Sequence, residues 1–286
     1  MSEGCEGALY VVATPIGNLE DLSPRAARLL GEVSWVAAED TRHSARLLRH
    51  LGIDKPLVSL HEHNEASRVT ALRDALASGQ DVALISDAGT PLISDPGFVV
   101  VRELRASGHR VIPVPGACAL VAALSAAGLA TDRFLFEGFL PAKGGARRQR
   151  LTAALEREET LVYYESPHRI QATLQDISAL FGSRRVVLAR ELTKTFETFL
   201  DADAETLLAH MREDPNQARG EFVIMVAGAE PRDDETQALV EGEAWLAAML
   251  AEGVGVKAAA TVVASRLGGR KKYWYQCAQA LKESDA

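Results

Sequence analysis

A twelve-residue segment, residues 86–97, carries two aspartates, two glycines and two prolines between an apolar strand and a helix. Glycine lets a backbone approach a ligand closely, and the amides and carboxylates of such a loop can bind polar groups. Short strand-to-helix turns need glycine and proline for purely structural reasons, but long ordered loops are more often functional. We therefore expect this segment to bind a ligand.

Three further loops of similar composition follow strands in the same part of the chain. Ligands of open α/β sheets bind beyond the carboxyl ends of the strands, where backbone amides are free. The four loops therefore predict one shared site. The three further loops are residues 14–19, 38–42 and 113–117.

Several common cofactor and metal motifs are missing from the sequence. It has no GxxxxGK[ST] phosphate loop, and its one GxGxxA match, residues 253–258, follows a helical pattern, which is typical of a helix stop and a turn. Pyrophosphate cofactors are therefore disfavoured. Cys5, Cys118 and Cys277 form no CxxC pair, which argues against a disulfide framework and a cysteine zinc site.

Apolar runs and helical patterns alternate around these loops, and this predicts two α/β domains. Buried strands near residues 9–13, 33–38, 57–60, 82–85 and 110–114 are each followed by a helix or a hinge, which predicts a parallel sheet covered on both faces. Later strands, near residues 134–139, 160–165, 185–191 and 221–227, alternate with helices less regularly, so the second sheet is expected to be mixed.

The remaining elements set the predicted domain boundaries. Ser23-Pro24 and Ser166-Pro167 each predict a helix start, because serine caps a helix and proline fits its first position. The acidic stretch from Glu230 predicts a linker, followed by helices at 243–250, 257–267 and 271–281. We predict domains at residues 1–116 and 117–229, and a linker with a small helical extension at residues 230–286.

Composition excludes several classes of protein. The 286 residues are 47% hydrophobic and 24% charged, which is typical of a globular chain and not of a disordered one. The longest apolar stretch is about half of the roughly 20 residues that a membrane span needs, and the acidic N-terminus does not resemble a signal peptide. We expect a cytoplasmic protein with no membrane segment. A net charge of −8 argues against nonspecific coating of nucleic acid.

The loop at residues 86–97 and several other segments resemble the motifs of a known family. Residues 86–97 read SDAGTPLISDPG, which resembles the diagnostic motif of the bacterial 16S ribosomal RNA cytidine 2′-O-methyltransferases. These enzymes belong to the tetrapyrrole-methylase (class III) fold. Further blocks are similar to the family's in the same order: TPIGNLEDLSPRA (14–26), AEDTRHSARLL (38–48), HEHNE (61–65), VPGACAL (114–120), YYESPHR (163–169) and ARELTKTFE (189–197).

The resemblance implies a homodimer of two-domain subunits that hold S-adenosyl-L-methionine in the cleft between the domains. Cys118 is expected to act as a small apolar contact, because nothing basic adjoins it to activate the thiol. The cofactor contacts implied by the matching blocks are Ile16, Asn18, Ala88, Gly89, Thr90, Ile93, Cys118 and Ala119, with Glu165 and Leu192 of the second domain more weakly aligned.

Methylation of a ribose 2′-hydroxyl requires help with its proton, because that hydroxyl is a poor acid. The candidates in the loops are Asp40, Arg42, His61, His63, Glu165 and His168. We favour Asp40 or one histidine near the nucleophile, although Asp40 could instead cap the following helix. His61 and His63 alternate along an extended segment, so one of them is expected to be structural. A metal site is not expected, because the local sequence offers no third ligand.

Two basic clusters suit contacts with RNA phosphates. The first contains Lys143, Arg147, Arg148 and Arg150, which could equally form a solvated helix face; the second contains Lys271 and Lys272, with Arg169 as a separate candidate. Tyr273 or Tyr275 could stack on bases, whereas Trp274 shares a helical face with Cys277, Ala278 and Leu281 and is expected in the core.

The expected function is therefore methylation of a cytidine 2′-hydroxyl in 16S ribosomal RNA, with the 30S subunit as partner. The alternatives are methylation of a small tetrapyrrole on the same fold, and a noncatalytic RNA-binding factor in ribosome assembly. The basic clusters argue against the first alternative. The intact cofactor loops argue against the second.

Overall fold

In the computed structural model, which describes residues 6–61, 64–230 and 234–284, the apolar runs of the first third form a five-stranded parallel sheet in the order β3-β2-β4-β1-β5. This confirms the predicted parallel sheet. Runs without alternation form strands here because helices bury both faces. The strands are β1 (Ala8–Val12), β2 (Trp35–Ala38), β3 (Leu57–Ser59), β4 (Val82–Ile85) and β5 (Arg110–Val114).

Helices cover this sheet on both sides. Leu30 and Leu48 pack on one face, and Leu72 and Leu104 pack on the other. The first helix begins as predicted, since the hydroxyl of Ser23 accepts the backbone N–H of Ala26 at 3.1 Å. The helices are α1 (Pro24–Glu32), α2 (Thr41–His50), α3 (Glu65–Ala77) and α4 (Phe98–Ala106).

The second sheet is mixed, as predicted, and has the order β6-β7-β10-β8-β9. Only β6 and β7 are parallel; the other neighbouring strands are antiparallel. The sequence pattern did not predict the edge strand β9, which is paired on one side and only half-buried, so it lacks an apolar run. The strands are β6 (Phe134–Phe139), β7 (Thr160–Glu165), β8 (Arg185–Arg190), β9 (Thr198–Asp203) and β10 (Phe222–Val226).

Four helices accompany the second sheet. The predicted helix start at Ser166-Pro167 is wrong by three residues: the carbonyl of Ser166 accepts the N–H groups of Arg169 and Ile170, which forms a turn first. Leu120 and Leu124 pack against one face of the sheet, and Ile177 and Leu207 pack against the other. The helices are α5 (Ala119–Ala126), α6 (Gly144–Thr152), α7 (Ile170–Phe181) and α8 (Ala204–Glu213).

The chain forms two compact units, Met1–Ala229 and Glu230–Ala286. The second unit contains α9 (Asp234–Ala251), α10 (Val256–Leu267) and α11 (Lys271–Ser284). The acidic stretch is thus less of a linker than predicted, because α9 already begins at Asp234. The division at residue 116 stays a prediction.

The core of the second unit is built around Trp274, which is buried as expected. Its indole Nε1 donates a hydrogen bond to the carbonyl of Gly268 at 2.8 Å. A Cβ at Gly242 would lie 2.2 Å from the indole ring, so only glycine allows α9 to approach α11 this closely. Among the described helices of the chain, none is long and apolar enough to cross a membrane.

Candidate functional site

A cavity of about 450 Å³ lies where the loops at the carboxyl ends of the first sheet meet the second sheet. Such an edge is where open α/β sheets bind ligands, and the volume lies within the range of small-molecule sites. The lining residues are Ile16, Glu39, Asp87, Ala88, Gly89, Thr90, Ile93, Ser94, Asp95, Cys118, Ala119, Phe139, Tyr164, Glu165, Ser166, Pro167, Ala189, Leu192, Glu221, Phe222 and Val223.

Hydrogen bonds hold the loop of residues 86–97 against its neighbours. The backbone groups of Thr14 and Gly89 pair in both directions, with N···O distances of 2.9 and 3.1 Å. The hydroxyl of Thr90 donates to the carbonyl of Ala117 at 3.0 Å. The loop is therefore fixed between the loop after β1 and the start of α5.

The backbone of this loop is strained at two positions in or next to the cavity lining. Leu92 and Ser94 have φ angles of 72° and 68°, in the left-handed region that side chains other than glycine rarely adopt. Such residues cost about 1–3 kcal/mol each and cluster at binding sites. Gly89 has a φ of 89°, and a Cβ there would lie 3.2 Å from Cγ2 of Ile16. Gly89 therefore keeps one wall of the cavity open.

Glu65 fixes the far end of the same loop, a role that the sequence pattern did not predict. Its side chain is buried, and its two oxygens accept the N–H groups of Gly97 and Val99, both at 2.9 Å. These N–H groups lie at the start of α4, where the helix itself provides no acceptor for them. The only signal in the sequence was its position in the HEHNE block, because Glu65 and Gly97 are 32 positions apart along the chain.

On the side of the second sheet, Glu165 has partners for both carboxylate oxygens. Oε1 accepts the N–H of Ser166 at 2.8 Å and forms an ion pair with Arg169 at 2.7 Å. Oε2 accepts the hydroxyl of Thr173 at 2.7 Å. A carboxylate held in this way is suited to positioning Arg169 and the turn after β7, since both of its oxygens already have partners.

On the side of the first sheet, three carboxylates line the cavity: Glu39, Asp87 and Asp95. Asp87 accepts the N–H of Asp40 at 3.1 Å, and its own N–H donates to Glu39 at 3.4 Å. Burial raises the pKa of Asp95 to about 6, opposed by a hydrogen bond from Ser86 and assisted by the charges of Glu39 and Asp87. A carboxyl with a pKa near neutrality can exchange protons efficiently.

Tyr164 is a further lining residue that was not predicted. Its hydroxyl accepts the N–H of Leu120 at 3.0 Å, at the start of α5. Its ring makes an edge contact with Phe136, with the ring centroids 4.9 Å apart. Burial raises the pKa of Tyr164, so the phenol stays neutral and can fix the start of α5 next to Cys118.

The structure brings together the predicted cofactor residues, with one exception. Asn18 does not line the cavity; its side chain caps the helical turn Leu19–Asp21 by accepting the N–H of Glu20 at 3.0 Å. Contact of the others with a cofactor stays a prediction. The predicted residues that line the cavity are Ile16, Ala88, Gly89, Thr90, Ile93, Cys118, Ala119 and Leu192.

The predicted catalytic residues are dispersed, and among them Glu165 alone lines the described cavity. Asp40 caps α2 by accepting the N–H groups of Arg42 and His43, and the hydrogen bond from Arg42 lowers the pKa of Asp40. The guanidinium of Arg42 is exposed and reaches Asp40 at 3.4 Å. His61 is exposed beside Asn64. His63 lies outside the described residues.

The predicted RNA contacts divide into paired and unpaired cations. Arg147 is buried: it forms an ion pair with Asp176 at 2.6 Å, so it serves the packing of α6 on α7 and its guanidinium is not on the surface. Arg148 shares Asp176, Arg150 pairs with Glu137, and Arg169 pairs with Glu165. Within the described ranges, Lys143, Lys271 and Lys272 are exposed and have no ion-pair partner.

In the part of the chain that the structure describes, no three histidine, cysteine, aspartate or glutamate side chains lie close enough to hold a metal ion. The cavity is lined by apolar side chains, by backbone of the loop at residues 86–97 and by three carboxylates. This arrangement can hold a polar organic molecule with a positive charge.

Comparison with known proteins places this site in a family. A family model described as tetrapyrrole (corrin/porphyrin) methylases matches residues 8–208, and one described as the RsmI C-terminal HTH domain matches residues 236–282. Among solved structures, a cobalamin biosynthetic enzyme, cobalt precorrin-4 methyltransferase, aligns with a TM-score of 0.59 at 17% identity, over 79% of this chain and 97% of that one. Diphthine synthase aligns with a TM-score of 0.58 at 14% identity, over 77% of this chain and 90% of that one. At these identities the likeness shows the fold alone.

Sequence relatives are much more similar. Ribosomal RNA small subunit methyltransferase I of Pseudomonas aeruginosa is 55% identical over 277 residues, 96% of this chain and 97% of the relative. The protein of the same name from Haemophilus influenzae is 49% identical over 271 residues, 94% and 95% of the two chains. The chain therefore belongs to the tetrapyrrole (corrin/porphyrin) methylase family and, within it, to the family of ribosomal RNA small subunit methyltransferases I.

Proposed function

We propose that this protein uses S-adenosyl-L-methionine to methylate the 2′-hydroxyl of a cytidine in the 16S RNA of the small ribosomal subunit. The single observation that carries the proposal is the 450 Å³ cavity between the glycine-containing loop of residues 86–97 and the second sheet. The names of the closely similar relatives support ribosomal RNA as the substrate class.

The residues of the cavity fit the cofactor in size and chemistry. The absence of a side chain at Gly89 leaves room that a Cβ would fill, and Ile93, Ala119 and Leu192 offer apolar surface for a flat base. Because a sulfonium carries a positive charge, the carboxylates of Asp87 and Asp95 complement it. When bound, S-adenosyl-L-methionine supplies an electrophilic methyl group that needs no further activation.

The work left to this chain is alignment, exclusion of water and removal of one proton. The ribose oxygen gains the methyl group and loses its proton, so a nearby base must accept that proton. We assign this role to Asp95, because its carboxyl lines the cavity and its pKa of about 6 leaves it ionised at neutral pH. Glu165 is a positioning residue in this scheme, since hydrogen bonds and Arg169 already occupy its oxygens.

Exposed cations are the proposed RNA contacts. Lys143 lies at the start of α6, and Lys271 and Lys272 lie at the start of α11, in the unit that matches an HTH domain. Cations at such positions contact phosphates and position an RNA without reading its sequence. From the family resemblance we also propose a cytoplasmic homodimer that acts on the assembled 30S subunit.

Gly89→Val tests the cofactor site. We expect calorimetry with S-adenosyl-L-methionine to show binding to the parent and at least a hundredfold weaker binding to the variant. The matched control is Gly108→Val: Gly108 has a φ of 84°, and a Cβ there would meet nothing within 4 Å, so this variant carries the same backbone strain away from the cavity. Equal cofactor binding by the parent and Gly89→Val would exclude this site.

Methyl transfer tests the substrate. Tritiated S-adenosyl-L-methionine is incubated with the protein and with small subunits purified from a strain that lacks the gene or, in a parallel reaction, with a tetrapyrrole, and the label is then mapped. We expect one labelled cytidine 2′-oxygen in the RNA. Label on a tetrapyrrole and not on the subunits would overturn the assignment of the substrate, and cofactor binding without any transfer would favour a noncatalytic factor.

A further inference from the structure

A second, smaller cavity of about 160 Å³ lies at the same edge of the first sheet, between the loop after β1 and α2. Asp87 lines both cavities, so the two adjoin at this residue. The lining residues are Thr14, Pro15, Leu19, His43, Ser44, Arg46, Leu47, His50, Ser86 and Asp87.

Ser44 is an unusual member of this lining. The residue is 2% exposed, and its hydroxyl oxygen has no hydrogen-bond partner among the described residues. Because a buried hydroxyl without a partner destabilises the folded state, such groups are rare unless a ligand or water completes them. Ser44 therefore offers a hydrogen-bond donor to a molecule in the cavity.

Three basic residues of α2 line this cavity. His43, Arg46 and His50 recur at spacings of three and four residues, so they follow one face of α2. Arg46 is exposed and has no ion-pair partner in the described part of the chain. Asp87 is the one acid of the lining, and it is oriented toward the N–H of Asp40.

We propose that this cavity binds the phosphate next to the target ribose, with Arg46 as its charge partner and Ser44 as a hydrogen-bond donor. In a polynucleotide, the 2′-hydroxyl and the 3′-phosphate sit on adjacent carbons of one ribose. A phosphate held on one side of Asp87 would therefore present the hydroxyl to the larger cavity on its other side. The inference deepens the proposed function and rests on it for the identity of the RNA.

The first experiment tests the phosphate site without any methyl transfer. Inorganic phosphate is titrated into the full chain while the imidazole NMR signals of His43 and His50 are followed. We expect saturable shifts in the parent and in Arg49→Gln, and their loss in Arg46→Gln. Arg49 is a matched control because it is exposed on the same helix but does not line this cavity. Absence of saturable shifts in the parent would overturn the proposal.

The second experiment measures how much the proposed phosphate site contributes to binding of the RNA substrate. We expect Arg46→Gln to raise KM for small subunits about tenfold and to reduce the salt dependence of binding by about one phosphate contact, with cofactor affinity unchanged. Ser44→Ala should raise KM by about tenfold while keeping or raising the melting temperature, since it removes an unpaired buried hydroxyl. A structural serine would show the opposite change in stability.

The outcomes separate this inference from the proposed function. If Arg46→Gln and Arg49→Gln change KM equally, the cavity does not hold a phosphate of the substrate, even where methyl transfer is normal. If the parent methylates no RNA, the proposed function fails, and the phosphate titration still decides whether the cavity binds an anion.

Discussion

The two walls of the large cavity differ in how the charges of their carboxylates are compensated. On the side of the second sheet, Glu165 is 2% exposed, but Arg169, Thr173 and the N–H of Ser166 compensate its charge. On the side of the first sheet, Asp95 has a hydrogen bond from Ser86 and lies near two further carboxylates, and its pKa is raised to about 6. No ion pair to Asp87 or Asp95 occurs among the described residues.

The difference separates carboxylates that support the fold from those available for chemistry. A carboxylate whose two oxygens both have partners stabilises those partners. A partly buried carboxylate without an ion pair costs stability, and such groups are often found at functional sites. By this criterion the second-sheet wall is a support, and we propose that the first-sheet wall contacts the cation and accepts the proton.

The largest expected effect is on the rate of methyl transfer. Asp95→Asn should lower kcat by about 10²–10⁴, the usual contribution of a general base. In the parent, the rate should rise with pH and level off above about pH 6, where Asp95 is ionised. Single-turnover transfer measured from pH 5 to pH 8 checks both statements.

Glu165→Gln is the control for this comparison. It should lower stability by about 1–3 kcal/mol by weakening hydrogen bonds to Arg169 and Thr173, while kcat falls less than tenfold. If Glu165→Gln lost as much rate as Asp95→Asn, the two walls would not differ in the way we infer.

The ion pair between α6 and α7 allows a similar comparison, between a buried arginine and an exposed one. Arg147→Met should destabilise the protein by about 3 kcal/mol, because it leaves Asp176 buried with only the longer contact to Arg148. Arg150→Met, which removes an exposed guanidinium, should cost less than about 1 kcal/mol. Urea unfolding of both variants measures these changes in the free energy of unfolding. Equal losses of stability would mean that the burial of Arg147 does not make its ion pair more important than that of Arg150.

The smallest effect expected is a pH-dependent change in stability. Since the pKa of Asp95 is higher in the folded state than its ordinary 3.8, the folded protein keeps this proton while the unfolded chain releases it. The contribution of Asp95 to stability therefore falls as pH rises from about 4 to about 6. An asparagine amide does not titrate and has no such loss, so Asp95→Asn should melt about 2–4 °C above the parent at pH 8 and gain less near pH 5. A gain that is the same at both pH values would contradict the raised pKa.

In the basic segment at residues 143–150, the sequence pattern specifies the helix but not which cations are exposed. The sequence predicts a cation-rich helix start, and α6 is present there. It cannot distinguish Arg147, which faces Asp176, from Lys143, which is exposed, because Asp176 lies 29 residues further along the chain. The catalytic candidates Asp40 and His61 do not line the cavity. Their positions in loops could be predicted from the sequence, but the directions of their side chains could not.

The sequence by itself determined the strands of the first sheet and the glycine-rich loops that follow them. Continuous apolar runs and turn residues act over a few neighbouring positions, so a linear pattern is enough to specify them. The tertiary structure alone decided which carboxylates share the cavity, that Glu65 anchors Gly97, and that the hydroxyl of Ser44 has no partner among the described residues. Those outcomes depend on how helices pack on the sheets, because packing, and not sequence separation, sets the distance between side chains and their exposure to water.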